Sequence, residues 1–390
     1  MNAFTAPPRR VLLVTASYLP QIGGLQHAVA HLAEGLAAGG VSVSVLTQRY
    51  PRSLPTAEVL DGVPVHRWLF LLPHLGYLRA GRFDLFVAGL VLGPVTLVRL
   101  LNRLWRERPT AVNLHFLGSA APFLLVAHAL LRFRLVVSLH GEDVEGLFGR
   151  STFDRWIFRV TLRRAQAVSA CSAALLRVAL ALEPTIAAKA SVIHNAVVVP
   201  LTPVAEPIPG RLLAVGRLVP KKGFDVLLRA LPLLRETWPQ AHLVLIGGGP
   251  EAARLQTLAA DLHLADRVEF TGVQPPEAVR RAMGLSQAVV IPSRREPFGL
   301  VALEALAAGR PVVATRVGGL PEVLAGAEAI LVPPDSSEAL AQGLSDLQAG
   351  VWTAPTCGAR NRKIAAQFSV ERMATAYSAL YAGPFRDRAR

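Results

Sequence analysis

The sequence has few cysteines, few aromatic residues and no long uninterrupted apolar run. Its two cysteines, Cys171 and Cys357, are far apart and lack a metal-ligand spacing, so they predict ordinary thiols in a reducing compartment. No apolar stretch reaches the roughly 18 residues of a spanning helix, which argues against a membrane span. Residues 11–15, after Arg9 and Arg10, form a run shorter than the roughly 7–15 residues of a signal core and are more typical of a buried strand.

Strong polar patterns are also scarce. Charged residues make up 17% and apolar residues 52%, which indicates a globular chain and excludes disorder as its main state. No Asp-x-Asp pair is present, so we predict neither a bound metal nor another cofactor. At 390 residues, the chain is long enough for two or three domains.

The net charge of +14 lies mainly in the N-terminal half. Residues 1–200 hold 20 Lys/Arg against 10 Asp/Glu, whereas residues 201–390 hold 21 against 17. A basic surface suits anionic lipid, an anionic substrate or nucleic acid. Because the basic residues are dispersed, aromatics are only 6% and no zinc module or RNA-binding motif occurs, we predict no nucleic-acid partner.

The chain begins with a strand–helix–strand pattern, and a similar pattern restarts in its second half. A strand at 11–15, a helix at 25–38 and a strand at 41–46 predict a parallel βαβ unit. Four prolines between residues 200 and 209, followed by Gly210, indicate an interdomain linker at 200–210. We therefore predict domains at 1–199 and 211–368, and a last amphipathic helix within 369–390.

The second half alternates strands and helices over some 120 residues. The predicted strands are 212–216, 242–246, 268–271, 288–292 and 311–315, and the predicted helices are 224–236, 251–262, 298–308 and 368–381. This alternation predicts an α/β protein with a doubly wound parallel sheet in this half.

Two glutamates flank a predicted helix start in the second half. Glu296 follows a strand, at the end where open α/β sheets bind ligands. The helix begins near Phe298 or Gly299, so its free N–H groups form an anion site suited to a diphosphate. Glu304 lies among apolar neighbours, where a carboxylate is costly unless it binds something such as a ribose diol. The alternative is that both glutamates are solvated surface residues.

A basic loop follows an earlier strand of the same half. Arg217 and Lys222 flank a turn that begins at Gly216, and Gly223 opens the next helix. Two cations at a strand end can neutralise a diphosphate, Arg as a planar fork and Lys as a point charge.

These motifs resemble the retaining GT-B glycosyltransferases of family 4, the group 1 glycosyltransferases. The resemblance rests on Glu296-x7-Glu304 within Glu-Pro-Phe-Gly-Leu-Val-x-Leu-Glu-Ala, and on three further motifs. These are Gly-Arg-Leu-x-x-x-Lys-Gly at 216–223, Ile-Gly-x-Gly-Pro at 246–250 and Gly-Gly-x-Pro-Glu at 318–322. It covers nearly the whole chain and implies two Rossmann-like domains that face a central cleft, with the last helix crossing back to the first domain.

The resemblance also implies a set of donor-site residues. In chain order these are Gly23, Gly24, His140, Arg217, Lys222, Thr271, Gly272, Val273, Glu296, Phe298, Gly299, Leu300, Val301 and Glu304. Arg217 and Lys222 bind the diphosphate, and Glu304 binds the ribose. The amides of Leu300 and Val301 meet phosphate and sugar.

The remaining roles follow from the same resemblance. Residues 271–273 lie near the base, and Gly23 and Gly24 let the backbone approach the donor. Glu296 contacts the sugar ring, and His140, at the end of an apolar strand, faces the transferred sugar. His140, Arg217, Lys222 and Glu296 are the expected catalytic residues, and His115 is not assigned to the site.

By resemblance, we expect metal-independent transfer of a hexose-type sugar, with UDP favoured as the donor nucleotide, and with retention of anomeric configuration. The nearly apolar run of residues 85–98 has basic flanks, which suits an interfacial helix or hairpin on an anionic membrane. A core helix is the alternative. We therefore expect a lipid-linked, glycolipid or polysaccharide acceptor. We also expect a cytoplasmic or peripheral membrane location. A nucleotide-sugar epimerase and a non-catalytic nucleotide-sugar-binding subunit remain alternatives.

Overall fold

The chain divides into two compact units. The computed structural model describes residues 10–21, 23–73, 75–79, 81–146, 151–200, 206–350 and 354–383. Unit 1 is Met1–Ala196 together with Val370–Arg390, and unit 2 is Val197–Ser369. The predicted linker 200–210 lies partly outside the described residues, and the predicted domain bounds stay predictions.

Unit 1 contains an eight-stranded sheet in the order β3-β4-β2-β1-β5-β6-β7-β8, in which only the β3–β4 pair is antiparallel. Its strands are β1 Arg10–Thr15, β2 Ser42–Gln48, β3 Ala57–Leu60, β4 Val63–Trp68, β5 Ala111–His115, β6 Arg134–Leu139, β7 Ala167–Ala170 and β8 Ala190–Val192. The central strands β1, β5 and β6 are buried almost throughout, as a sheet covered on both faces requires.

Two helical layers cover this sheet. The helices are α1 Gly24–Ala38, α2 Leu75–Arg79, α3 Phe83–Glu107, α4 Ala121–Leu131, α5 Glu142–Glu145, α6 Thr152–Arg164, α7 Ala173–Leu182 and α15 Val370–Ala382. On one face α1 packs against α15, and Val29, Leu32 and Leu36 share a core with Met373 and Tyr377. Elsewhere α4 contacts both α3 and α6. Since β1-α1-β2 and β5-α4-β6 run in opposite directions along the sheet, right-handed crossovers place α1 and α4 on opposite faces.

Unit 2 contains a six-stranded, fully parallel sheet in the order β11-β10-β9-β12-β13-β14. Its strands are β9 Arg211–Val215, β10 His242–Ile246, β11 Val268–Gly272, β12 Ala288–Ile291, β13 Val312–Thr315 and β14 Ala329–Val332. Its helices are α8 Phe224–Ala230, α9 Ala252–Asp261, α10 Pro276–Leu285, α11 Leu300–Ala307, α12 Leu320–Val323, α13 Ser337–Ala349 and α14 Ala354–Ala365. The predicted doubly wound α/β organisation is confirmed.

Each sheet has one point at which the strand order reverses. In unit 2 the chain passes from β9 to β10 and β11, then returns to place β12 on the other side of β9. In unit 1 the corresponding reversal lies between β1 and β5. Ligands of open α/β sheets bind outside the carboxyl ends of the strands at such a reversal, so each unit has one preferred site.

The predicted elements differ from the structure mainly at their ends. The helix predicted at 224–236 ends at Ala230 and continues as the 3-10 turn Leu231–Leu234, because Pro232 supplies no N–H for the α-helical ladder. The helix predicted from 298 begins at Leu300, because Gly299 takes a left-handed conformation with φ 105°.

The apolar run 85–98 lies within one continuous helix of 25 residues, α3, so the predicted hairpin alternative is wrong. Pro94 is tolerated inside this helix, with its ring on the exposed side. By length and composition alone α3 could cross a membrane, and 22% of its most apolar window is buried.

Candidate functional site

The strand-order reversal of unit 2 brings the two predicted loops together. The loop after β9 carries Lys222, and the loop after the adjacent strand β12 carries Glu296. Lys222 Nζ donates to Glu296 Oε2 at 2.5 Å, and both side chains are mostly buried. Ser293 Oγ also donates to Glu296 Oε2, at 3.3 Å. A cation and a carboxylate are thus held at the preferred ligand position of the sheet.

The backbone of the Glu296 loop packs closely on the two glycines that follow β13. Gly319 N donates to Glu296 O at 3.0 Å. Gly318 has φ 53°, and a Cβ at this position would lie 1.8 Å from Glu296 O. No side chain fits at Gly318. The close contact of Gly318 and Gly319 with the Glu296 backbone therefore fixes the position of Glu296 relative to the sheet.

Sequence reasoning missed an ion pair that joins the Glu296 loop to the first turn of α8. Arg294 donates through Nη1 and Nη2 to Asp225 Oδ1 and Oδ2, at 2.8 and 2.9 Å, and also pairs with Asp335. Burial alone would raise the pKa of Asp225, but the Arg294 hydrogen bonds outweigh it and lower that pKa to about 2. Arg294 Nη1 additionally donates to Pro220 O at 2.6 Å. The sequence signal that could have identified Arg294 is its position two residues before Glu296.

Helix α11 supplies amides and a carboxylate to this site. Leu300 and Val301 occupy its first turn, where backbone N–H groups have no intrahelical acceptor. Glu304 follows one turn later and is partly buried. Burial raises its pKa to about 7 and outweighs the Arg280 charge, which lowers it. Among the described residues, no hydrogen bond or ion pair engages the Glu304 carboxylate, so it is available to a ligand.

The other residues predicted in unit 2 also lie at the carboxyl edge of its sheet. Arg217 follows β9 and is exposed, and Val273 follows β11 and is 68% exposed. The loops after β9, β10 and β11 are joined by backbone hydrogen bonds from Leu218 N to Gly248 O and from Gly247 N to Gly272 O, both 2.9 Å long. Thr271 and Gly272 end β11 on the same edge.

Phe298 differs from the other predicted donor-site residues because its side chain is buried. It is only 3% exposed, and its ring packs edge-on against Phe368 at 6.2 Å. Its ring therefore packs in the core of unit 2 and anchors the turn that precedes Gly299. Only its backbone is placed to contribute to a ligand site.

In unit 1 the predicted residues follow strands on either side of the strand-order reversal. Gly23 caps α1 after β1, and Gly24 is the first residue of that helix. A Cβ on Gly23 would lie 2.5 Å from the side chain of Gln26, so the turn is close-packed. His140 follows β6, which is separated from β1 by β5.

His140 is held by two neighbours, of which His115 was left out of the predicted site. His115 Nδ1 lies 3.0 Å from His140 Nε2, so one ring donates and the other accepts. Burial lowers the pKa of His140 to about 4 and holds that of His115 well below its usual value, so both rings are neutral at physiological pH. The buried Asp143 carboxylate accepts from His140 N and Gly141 N at 3.2 and 2.8 Å.

A buried polar network continues from this region to α15. Asn113 donates to the Tyr381 hydroxyl at 2.7 Å, and Ser138 donates to Asn113 at 3.0 Å. The Tyr377 hydroxyl lies 3.2 Å from Ser169, and its ring centroid lies 5.8 Å from that of His115. These contacts therefore fix α15 to the sheet next to the histidine pair.

Within the described ranges, no group of three or more His, Cys, Asp or Glu side chains could hold a metal ion. Cys171 and Cys357 are both reduced thiols, and both are buried.

Two protein families match the two halves of the chain. Residues 23–196 match the model of the glycosyl transferase 4-like domain, and residues 207–351 match that of the glycosyl transferases group 1. The chain is 30% identical over 400 residues to glycogen synthase of Mycobacterium tuberculosis, covering 95% of this chain and 94% of the relative.

Two further proteins are similar over most of the chain. A component of the phosphatidylinositol N-acetylglucosaminyltransferase of Arabidopsis thaliana is 28% identical over 342 residues, which cover 85% of this chain and 73% of the relative. The structure of Anabaena HepE in complex with UDP-glucose superposes with a TM-score of 0.71 and 21% identity, covering 95% of this chain and 98% of HepE. This likeness confirms the predicted GT-B fold.

Proposed function

The chain belongs to the group 1 glycosyltransferases of the GT4 family, and from this premise we propose a specific reaction. The protein transfers a hexose-type sugar from a nucleotide diphosphate sugar to an acceptor hydroxyl, with retention of configuration and without a metal ion. One observation carries the proposal. Lys222, Glu296, the first turn of α11 and Glu304 converge at the strand-order reversal of unit 2, and no described residue forms a hydrogen bond or ion pair with the Glu304 carboxylate.

The proposed donor lies across this edge with its nucleoside toward α11. Glu304 accepts the two ribose hydroxyls, since a carboxylate can accept two hydrogen bonds at once. The diphosphate lies at the α11 N-terminus, where free N–H groups and the helix dipole favour an anion. Residues 271–273 are proposed to lie near the base. We favour UDP, because the structurally similar HepE holds UDP-glucose.

The reaction needs stabilisation of the leaving diphosphate more than it needs a nucleophile. Arg217, Lys222 and the amides of Leu300 and Val301 are proposed to carry this stabilisation. Glu296 keeps the Lys222 ammonium in place and offers its remaining oxygen to hydroxyls of the sugar ring. Attack from the same face as the departing phosphate then yields retention.

We further propose that His140 contacts the transferred sugar. Its pKa of about 4 keeps the ring neutral, so it acts through a hydrogen bond and not as a general acid. His115 acts through His140 by fixing the tautomer of the neighbouring ring.

The proposed acceptor is lipid-linked, a glycolipid or a polysaccharide. The Arabidopsis relative, whose name places its sugar transfer on phosphatidylinositol, supports a lipid acceptor. We place the enzyme in the cytoplasm, peripherally on the inner face of the plasma membrane. Two reduced thiols suit a reducing compartment, and the exposed apolar helix α3 suits a membrane surface.

The direct test is incubation of the full chain with UDP-, GDP- and ADP-linked hexoses and with acceptors of the three classes, with products identified by mass spectrometry. Transfer to an acceptor is expected. Epimerised donor without acceptor would instead show an epimerase, and binding without turnover under every acceptor would show a non-catalytic subunit. The anomeric configuration of the product, read by NMR, must match that of the donor.

A variant pair tests the role of the cation at β9. Arg217→Ala should lower the transfer rate by roughly 100- to 1000-fold, the loss that follows removal of one charge-stabilising group. Arg235→Ala is the matched control, because Arg235 is exposed and precedes β10 at the opposite edge of the sheet. A chelator should leave the wild-type rate unchanged, and a rate restored only by added divalent metal would contradict metal independence.

A further inference from the structure

Helix α3 exposes a continuous apolar face to solvent. Seven of its large apolar side chains are between 41% and 67% exposed: Phe83, Val87, Leu90, Val91, Val95, Val98 and Trp105. Their spacing of three, four and seven residues places them along one side of the helix. From Phe83 to Trp105 the stripe runs for about 33 Å, at 1.5 Å per residue. A single exposed apolar residue is ordinary, but a stripe of this length marks an interaction surface.

The opposite side of α3 is fixed to unit 1. A Cβ on Gly89 would lie 2.5 Å from the backbone of Leu72, so the helix sits directly on that segment. Thr96 Oγ1 donates to Leu69 O at 3.0 Å, and the buried Arg103 pairs with Glu107 at 3.0 Å. Because this side carries a buried, paired arginine and close backbone contacts, α3 is built to lie along a surface and not to leave the unit and span a bilayer.

Helices α4 and α6 extend the same surface. Helix α4 contacts both α3 and α6, so the three form one layer. Leu130 on α4 is exposed, and so are Phe153 and Trp156 on α6, whose rings lie 6.0 Å apart. We call the exposed apolar side chains of α3, α4 and α6 the docking face. Aromatic residues stand at its margins, as they do where proteins meet the membrane–water interface.

The charges around the docking face are basic. Arg106 and Arg108 are exposed beside Trp105, and Arg155 and Arg159 are exposed beside Trp156. The acidic residues of α3 are neutralised within the helix, since Asp84 pairs with Arg82 and Glu107 pairs with Arg103. An apolar surface rimmed by arginine complements an anionic lipid surface, because basic side chains near such a surface are attracted to its negative charge.

An open cavity adjoins the docking face where α3 and α4 end. It has a volume of about 480 Å³, and its lining includes Trp105, Arg108, Thr110 and Arg132. It shares Trp105 and Leu131 with a shallow apolar groove, which Val98 and Leu130 also line. The cavity offers cationic and hydroxyl groups to a headgroup, and the groove offers apolar contact to the chain attached to it.

We propose that the docking face binds the surface of an anionic bilayer, with α3 lying in the boundary between headgroups and acyl chains. A membrane surface is the partner that a lipid-linked acceptor would require. The proposal rests on the proposed function only for the biological role of membrane binding. Binding itself requires neither donor nor acceptor. It can therefore fail while glycosyl transfer succeeds, or succeed while transfer fails.

The test is flotation of the full chain with vesicles of phosphatidylcholine alone or mixed with anionic phosphatidylglycerol. Binding is expected only to the anionic vesicles and is expected to fall as salt screens the arginines. The double variant Val91→Asp/Val95→Asp should weaken partitioning at least about tenfold, because both side chains would enter the apolar boundary charged. Leu233→Asp, at an exposed apolar position in unit 2, is the matched control and should bind like wild type.

Folding and self-association are measured on the same samples. Thermal unfolding and nucleotide binding of the double variant should equal those of wild type, because both side chains are exposed. No binding to anionic vesicles, equal binding to neutral ones, or unchanged binding by the double variant would overturn the proposal. So would a wild-type dimer that the double variant dissociates, since a second copy would then cover the face.

Discussion

Glu304 is the residue on which the donor assignment depends most. It stands one turn inside α11, its carboxylate is unengaged by described residues, and burial raises its pKa to about 7. A raised folded-state pKa means that its ionisation opposes folding. The free energy of unfolding is therefore undiminished below the unfolded-state pKa of 4.5, where Glu304 is protonated in both states. The contribution of the protonated side chain is lost as pH rises through about 7. A diol that donates to the carboxylate reverses this preference.

Nucleotide binding should therefore release a proton from Glu304. Near pH 7 the free protein is about half protonated at this residue, and hydrogen bonds from the ribose favour the ionised form. Calorimetric titration in buffers of different ionisation enthalpy should detect about half a proton released per nucleotide bound.

Glu304→Gln provides the control for that measurement. Glutamine keeps the size of the side chain but cannot ionise, so the release should disappear while any contribution of the nucleotide phosphates remains. Equal proton release by wild type and Glu304→Gln would contradict the ribose assignment.

The histidine pair predicts instability in acid. The pKa of His140 is lowered to about 4 by burial, and burial together with the His140 charge lowers that of His115 well below its usual value. The unfolded chain therefore takes up more protons than the folded one as pH falls below about 6.5, and stability is lost in that window. For His140 alone the full loss is about 3 kcal/mol.

Chemical denaturation at pH 7 and pH 5 measures this loss directly. His140→Asn should reduce the difference in unfolding free energy between the two pH values. His263→Asn is the control, because His263 is exposed and its φ of 53° suits asparagine. A difference that His140→Asn leaves unchanged would show that the pair does not titrate in this way.

At the residue scale, the sequence predicted the positions of single side chains better than it predicted which side chains contact each other. Lys222 and Glu296 lie at the predicted strand ends, and Glu304 lies in the helix that follows, because a βα pattern fixes which end of a strand each loop occupies. The Arg294–Asp225 pair was missed because it joins the loop after β12 to α8, the helix that follows β9, and these segments are neighbours only once the sheet has formed. His115 was left out because nothing in its local sequence reveals that β5 places it against His140.

At the element scale, the loops of unit 2 depend on glycines that allow close backbone contact. Gly318→Ala should destabilise the protein by at least about 2 kcal/mol, because its Cβ would overlap Glu296 O and its φ is positive. The KM for the donor should rise as well, since Glu296 is displaced. Denaturant unfolding and donor kinetics measure the two effects.

Gly284→Ala is the matched substitution for Gly318→Ala. Gly284 lies in α10, where a Cβ meets nothing within 4 Å, so alanine should be neutral or should stabilise by up to about 1 kcal/mol. Equal unfolding free energies for the two variants would show that the Gly318 contact does not constrain the loop.

Elements with strong periodicity were predicted well, and those set by tertiary contact were not. The strand predicted at 242–246 has the same bounds as the observed β10. It was predicted well because a short, mainly apolar segment is flanked on both sides by residues typical of turns. Helix α3 was underestimated because Gly93 and Pro94 signal a break in isolation, whereas the close packing of Gly89 on residue 72 holds the helix together.

At the scale of the whole molecule, the two units divide charge as well as structure. The first 200 residues carry 20 Lys/Arg against 10 Asp/Glu, and the exposed arginines around α3 and α6 belong to this part. The near-neutral unit 2 carries the proposed donor site instead. Composition alone predicted this asymmetry, but it could not show that the apolar stripe of α3 faces solvent.

The central claim is that unit 2 binds a nucleotide diphosphate through Glu304, and calorimetric titration with UDP, GDP and ADP tests it most directly. One nucleotide should bind wild type, and Glu304→Ala should weaken its binding by at least about tenfold. Glu236→Ala, exposed and located before β10 at the other edge of the sheet, should bind like wild type. If no nucleotide binds, or if Glu304→Ala binds as tightly as wild type, the donor-site assignment is contradicted.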